Sequence, residues 1–225
     1  MEGLAATLNP AAHAYLELLA NRREAEATRF LRHRYEQGAQ LRSIYADVLA
    51  AALGEADRRH ALGVLSTARR RFVNHATERI MSVFESALLH TRAPHGRAVC
   101  ASFGPEVPEL QIRIAAALLA VDGYDVCHLG PNPSLDDFEC VLDQSDPRLV
   151  ILFANGADGV VALARAAGVV RAKQATQAPL IVVGGAGVDA QSPRWRRSGG
   201  DLHARSALEA VALATQYEVR LQERA

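Results

Sequence analysis

The hydrophobic period of this chain changes once, near residue 92, and that change constrains the fold more than any other feature. Up to that point the apolar residues recur at helical spacing. Ala11–Leu19 is a first such segment and Glu24–Gln37 a second, with Ala27, Phe30, Leu31 and the ring of Tyr35 along one stripe. Gly38 supplies a left-handed stop. Leu41–Leu53, broken around Gly54, and Leu65–Leu89, with Phe72, Ile80, Val83, Phe84 and Leu88, complete the set. Four helices with short connections predict an antiparallel bundle. The stretch Arg92-Ala-Pro-His-Gly96 has turn chemistry, so the domain boundary is placed there and the helical unit spans residues 1–92.

From residue 97 onward the rhythm is different. Short apolar runs at Ala98–Phe103, Tyr124–Leu129, Leu149–Phe153 and Leu180–Val183 read as buried parallel strands, with a last short strand near Asp201–Ala204. Helical segments separate them: Pro108–Val121, Leu135–Gln144, Gly159–Lys173 and a final one from Ala207 to Arg224. This alternation predicts a doubly wound parallel sheet over residues 97–225. The fold class is therefore α/β, a four-helix bundle followed by a Rossmann-like or flavodoxin-like domain. Ligands of such sheets bind outside the carboxyl ends of the strands. The loops Gly104–Pro108, Gly130–Ser134, Ala154–Asp158 and Gly184–Val188 are the ones to watch. In the last of these, Gly184 and Gly185 admit a close approach either by a ligand or by neighbouring backbone. Neither GxxxxGK[ST] nor a GxGxxG after the first strand is present, which excludes a P-loop and a dinucleotide fingerprint.

Charge narrows the partners. Lys plus Arg number 25 and Asp plus Glu number 25, so a globally basic nucleic-acid binder is not expected. Only Lys173 is lysine, which leaves room for local arginine clusters. No apolar run has the length of a membrane helix, and the first residues lack a signal peptide's order. Cys100, Cys127 and Cys140 are irregularly spaced with no CxxC, which argues against a disulfide framework or a zinc site and fits a reducing cytoplasm. Glu106 and Glu109 read as helix-start carboxylates rather than an acid–base pair, and no nucleophile–base constellation is visible.

Six stretches, Leu19–Ala25, Tyr45–Leu53, Glu109–Leu119, Gly123–Gly130, Val182–Gly185 and Arg194–Asp201, occur in an order and spacing that resemble the cobalamin-binding-domain family. That family includes methionine synthase and, closer still, the light-sensing MerR-type repressors. The resemblance covers nearly the whole chain and implies a helical bundle followed by a Rossmann-like B12-binding domain. It also implies an axial histidine after the first strand, and there the chain departs. Pro108 stands where the family's His should be, and Gln111 replaces a Gly. Phe153 occupies the place of a small Ser that lies beside the cofactor's nucleotide tail.

The bundle departs as well. By alignment with the light-sensing repressors, His60 takes the place of a Trp, and Arg70-Arg71 replace a Glu-His pair, with His75 one helical turn on. Arginine's planar fork suits carboxylates. Cobalamin carries peripheral amides, whereas haem and biliverdin carry propionates. The expected ligand is thus a propionate-bearing tetrapyrrole between bundle and Rossmann-like domain, ranked biliverdin, then haem, then cobalamin. The expected site comprises His60, Arg70, Arg71, His75, Pro108, His128, Phe153, Gly184, Gly185 and His203. Haem would take His75, His60 or His128 as axial ligand, and a bilin could attach at Cys100 or Cys127. The function expected is a non-enzymatic sensor, a photoreceptor if the ligand is a bilin, with output through self-association or a partner regulatory protein. Two alternatives stand beside it. One is a cobalamin-binding photoreceptor, or a corrinoid carrier working with a methyltransferase or mutase, without the axial His. The other is a ligand-free interaction module, which Pro108, Gln111 and Phe153 all fit.

Overall fold

Helix α1, Pro10–Ala20, starts where local chemistry dictates: Pro10 occupies the first turn, and the Asn9 side chain accepts the Ala11 N–H at 2.7 Å. It buries Ala12, Tyr15, Leu16 and Leu19 on one face. Helix α2, Glu24–Glu36, has Glu24 and Glu26 in its first turn and His33 and Arg34 in its last, which complements the helix dipole. The third rod runs through α3 (Leu41–Ser43), a π-helical segment (Ile44–Ala50) and α4 (Ala51–Ala61). The expected break at Gly54 does not occur. Gly54 is exposed within α4, and burial of Leu53 and Ala56 beside it outweighs its low propensity, a penalty of about 1 kcal/mol against Ala. Helix α5 spans Thr67–Leu88. A buried hydrogen bond of 2.9 Å between the Tyr15 and Thr77 hydroxyls ties α1 to α5. Arg79 grips Glu24 of α2 with two bonds of 2.8 and 2.6 Å.

The computed structural model describes residues 8–88, 95–104, 109–173, 178–185, 188 and 194–222. It divides into two compact units, Met1–His90 and Thr91–Ala225. Strands β1 (Arg97–Phe103), β2 (Asp125–Pro131), β3 (Leu149–Ala154), β4 (Leu180–Gly184) and β5 (Leu202–Ala204) form the sheet of the second unit. All are parallel, in the order β2-β1-β3-β4-β5. The connecting helices are α6 (Glu109–Val121), α7 (Leu135–Ser145), α8 (Gly156–Ala172), the short α9 (Arg194–Arg197) and α10 (Ala207–Gln222). The chain is α/β, with the bundle followed by the doubly wound sheet.

Alternation along the strands sorts the core into two layers. Val99, Ala101, Phe103, Val150, Leu152, Ala154, Ile181 and Val183 face α7 and α8, meeting Phe138, Leu142, Leu163 and Val170. The intervening positions, among them Cys100, Ser102, His128, Phe153 and Gly184, face α6 and α10. Strand order reverses between β1 and β3, so the crevice at their carboxyl ends is the switch point at which such sheets bind ligands. Among the described residues no helix is long and apolar enough to cross a membrane.

Candidate functional site

The strand ends at the switch point are drawn together main chain to main chain. Gly104, just past β1, has φ +118°, and a Cβ there would come within 2.2 Å of the Asn155 carbonyl oxygen. Gly185, just past β4, has φ +98°, and its Cβ would lie 2.4 Å from the Ala154 carbonyl oxygen. Only glycine meets both demands, of φ and of space. Asn132, past β2, holds φ +48°, and its N–H donates to the Ser102 carbonyl at 2.7 Å. Its side-chain amide accepts the Gly104 N–H at 2.8 Å and donates to the Gly104 carbonyl at 3.0 Å. The result is a preformed rim of peptide groups. Asn132 and Gly104 escaped the reading of the sequence as site residues. The Gly130-Pro-Asn-Pro133 run, with an Asn able to take the left-handed region, is the signal that could have found them.

Beneath the rim, on the α6/α10 face, Ser102, Phe153 and Gly184 lie side by side in register on β1, β3 and β4. Phe153 is wholly buried, and a Cβ on Gly184 would meet its ring at 2.8 Å and the Ala204 carbonyl oxygen at 2.3 Å. The space left by Gly184 is thus taken by the chain itself. Ser102 is also wholly buried, and its Oγ has no hydrogen-bond partner among the described residues. Nor has Nε2 of His128, which pairs in register with Cys100. Burial, and then the nearby Arg113 charge, push the His128 pKa below its ordinary value, so its ring is neutral near pH 7.

The two cysteines considered for covalent attachment are not activated. Burial pushes the Cys100 thiol well up, and burial followed by the Asp125 charge raises that of Cys127. His203 on β5 donates from Nε2 to the Val188 carbonyl at 2.8 Å. Its ring lies 5.8 Å from that of Trp195. Pro108 and Glu106 lie outside the described residues.

In the helical unit, the residues expected to face a ligand have partners of their own. His60 Nδ1 donates to the Leu65 carbonyl at 2.9 Å and closes the turn between α4 and α5. Arg70 bonds Asp57 at 2.6 Å. Arg71 and His75 are exposed, and His75 lies 3.2 Å from Glu78. A cleft of about 510 Å³ opens at the opposite, amino end of β4 and β5, but the charged groups on it, Arg171 and Asp201, bond each other. Among the described residues no three His, Cys, Asp or Glu side chains gather to hold a metal ion.

Comparison with known proteins gives this geometry a context. Residues 96–212 match the model of the B12 binding domain. No curated protein sequence matches the chain. Among solved structures, the monomethylamine corrinoid protein of Methanosarcina barkeri shares the fold with a TM-score of 0.71 at 15% identity, over 91% of this chain and 96% of that one. A cobalamin-binding protein from Desulfitobacterium hafniense DCB-2 follows at 0.51 and 14%, over 92% and 98%. The methanol:cobalamin methyltransferase complex of Methanosarcina barkeri has a chain matching at 0.51 and 17%, over 95% of this chain and 86% of its own length.

These matches correct the expected ligand. The bilin photoreceptor, with biliverdin as cofactor and haem as second choice, is overturned by a family model whose ligand is B12 and by corrinoid-binding neighbours of the fold. Covalent attachment at Cys100 or Cys127 falls with it. The error has a physical origin: the arginine cluster was read as a carboxylate receptor, whereas Arg70 is engaged by Asp57 and Arg71 is exposed.

Proposed function

This chain belongs to the B12 binding domain family, and on that premise we propose that it is a corrinoid-binding protein whose second unit holds the cofactor against the carboxyl edge of its sheet. The observation that carries this reading is the coincidence of the family match, residues 96–212, with a parallel sheet whose switch point presents a preformed rim of main chain. That rim suits a corrinoid's amide periphery. Beyond their bonds to each other, the Asn132 amide and the Gly104 carbonyl keep further lone pairs and an N–H, which suit neutral amides and need no charged fork. Gly104, Gly185, Asn132 and His203 are the residues assigned to the rim, and Gly184 and Phe153 lie beneath it. Arg70, Arg71, His60 and His75 are left out of the cofactor's immediate contacts. A bound corrinoid supplies a cobalt centre able to carry a one-carbon or alkyl group.

The chain itself serves as a carrier in this reading. Residues 97–225 bind the cofactor, and residues 1–92 form a separate helical unit. The partner class is a methyltransferase, supported by the fold shared with a chain of the methanol:cobalamin methyltransferase complex. A reducing cytoplasm suits its three free cysteines. The test is direct. Purified chain mixed with hydroxocobalamin and then desalted is expected to retain about one equivalent, with a shifted absorption band. Loss of all colour on desalting, with hydroxocobalamin, methylcobalamin and cobinamide alike, would end the corrinoid reading.

A further inference from the structure

From the packing of Phe153 against Gly184, we infer that a corrinoid bound here keeps its own nucleotide base on cobalt, with the tail outside the protein. The inference rests on the corrinoid reading above and specifies its ligand state. A cobalamin brings a benzimidazole on a flexible nucleotide arm. A protein displaces that base by providing a space that buries the arm, and a donor atom that replaces the base at cobalt then holds the displaced state.

No such space is present at this edge among the described residues. Space on the α6/α10 face beneath the rim is occupied by the wholly buried ring of Phe153, whose edge atom lies 2.8 Å from where a Gly184 Cβ would stand. On its other side the ring has Ser102 as cross-strand neighbour. The Ser102 hydroxyl is left without a partner among the described residues, a polar lining beside a slot that an aromatic ring fills. Donor atoms are scarce as well. His128 Nε2 is shut away from the surface, and His203 Nε2 is engaged by the Val188 carbonyl, which leaves that ring only Nδ1. Pro108, in the loop after β1, has no side-chain donor at all.

The experiment uses the full chain, produced with uniform ¹⁵N, loaded with unlabelled cobalamin and reduced to the Co(II) form. The expected electron paramagnetic resonance spectrum keeps the three-line ¹⁴N splitting of the cofactor's own base. Cobalamin and tail-less cobinamide are expected to bind within about threefold of each other. A two-line ¹⁵N splitting, or no nitrogen splitting with cobalamin bound more than about tenfold tighter than cobinamide, overturns the inference while leaving the corrinoid reading intact. Failure of every corrinoid to bind removes that reading instead. Phe153→Ala is the complementary arm, with Phe153→Leu as the milder variant should the first not fold. Opening the slot is expected to turn a measurable share of bound cobalamin to the base-off spectrum, with cobinamide affinity unchanged. An unaltered base-on spectrum in a folded Phe153→Ala chain overturns the role given to the ring.

Discussion

The side-chain amide of Asn132 makes two hydrogen bonds to the main chain of one residue, Gly104, accepting its N–H at 2.8 Å and donating to its carbonyl at 3.0 Å. In effect one side chain extends the β1–β2 ladder by a step beyond the last strand residues. Both neighbours of the contact are conformationally demanding, since Asn132 has φ +48° and Gly104 φ +118°.

Removing that amide therefore has two effects. Asn132→Ala loses both bonds and puts a poorer residue in the left-handed region, and it is expected to lower the unfolding free energy by about 1–2 kcal/mol. Asn132→Asp keeps only the acceptor and should fall between. Urea unfolding followed by circular dichroism measures both, and equal stability of all three proteins would show that the rim is held by other contacts. Corrinoid retention should weaken in the same order.

Two helical glycines point the other way. Gly54 in α4 and Gly168 in α8 are exposed, and an added Cβ at either meets nothing within 4 Å. Each Gly→Ala change is expected to raise stability by about 0.5–1 kcal/mol, through helix propensity and a less free unfolded chain. The two sit in different units, so their effects should add to within about 0.5 kcal/mol in the double variant. A midpoint in urea that moves down for Gly54→Ala would mean the exposed face of α4 is covered in the native protein.

Glu55 gives the helical unit an acid limit. It accepts bonds from Arg58 at 2.6 and 2.7 Å and from Arg59 at 2.8 Å, and Arg59 also reaches Glu17 of α1 at 2.6 Å. The bonds from Arg58, then those from Arg59, hold its carboxyl down at about 2, against an ordinary 4.5. A lowered carboxylate binds its proton less readily in the native state than in the unfolded one. Its stabilisation is present above about pH 4.5 and is lost as the pH falls toward 2. Arg58 is largely exposed, so solvent screening limits the contribution to about 1–2 kcal/mol. Glu55→Gln should remove that part of the acid sensitivity, read from thermal midpoints between about pH 2 and pH 6.

Much of this architecture was legible because it follows from period. The alternation of Val99, Ala101 and Phe103 against Ala98, Cys100 and Ser102 places whole strands, and Ser134 followed by Asp137 marks the start of α7, where the hydroxyl accepts the Asp137 N–H at 3.0 Å. What could not be read was pairing through space. Arg70 looks free in the sequence, because its partner Asp57 lies on the other arm of a helical hairpin whose register no local pattern encodes. Three arginines in a row cover much of a helix circumference, and the plain reading of a solvated face suits them better than a carboxylate receptor. The π-helical segment Ile44–Ala50 carries no compositional signature, and Gly54 was given more breaking power than a single exposed glycine has. The glycines at the β4 end invite close approach, and what approaches Gly184 is Phe153 and the Ala204 carbonyl.

His128 sets a second pH limit, in the sheet. Its Nε2 is buried without a hydrogen-bond partner among the described residues, and burial, followed by the Arg113 charge, depresses its pKa below the ordinary 6.5. The native ring refuses a proton that the unfolded chain accepts. Between the depressed folded value and 6.5 the unfolded state binds more protons, so stability rises with pH across that window and is level above it. Falling pH therefore destabilises the second unit from about 6.5 downward, by at most about 1.4 kcal/mol per pH unit from this one group. His128→Gln keeps a polar side chain without the titration, so the difference between the two proteins should change below pH 6.5 and be constant above pH 7. A pH-independent difference would mean that the ring takes its proton in the native sheet as readily as in the unfolded chain. Nuclear magnetic resonance of the ring carbons supplies the direct check. Arg113→Gln should move the titration back toward 6.5, because the second cause of the depression is then gone while burial remains.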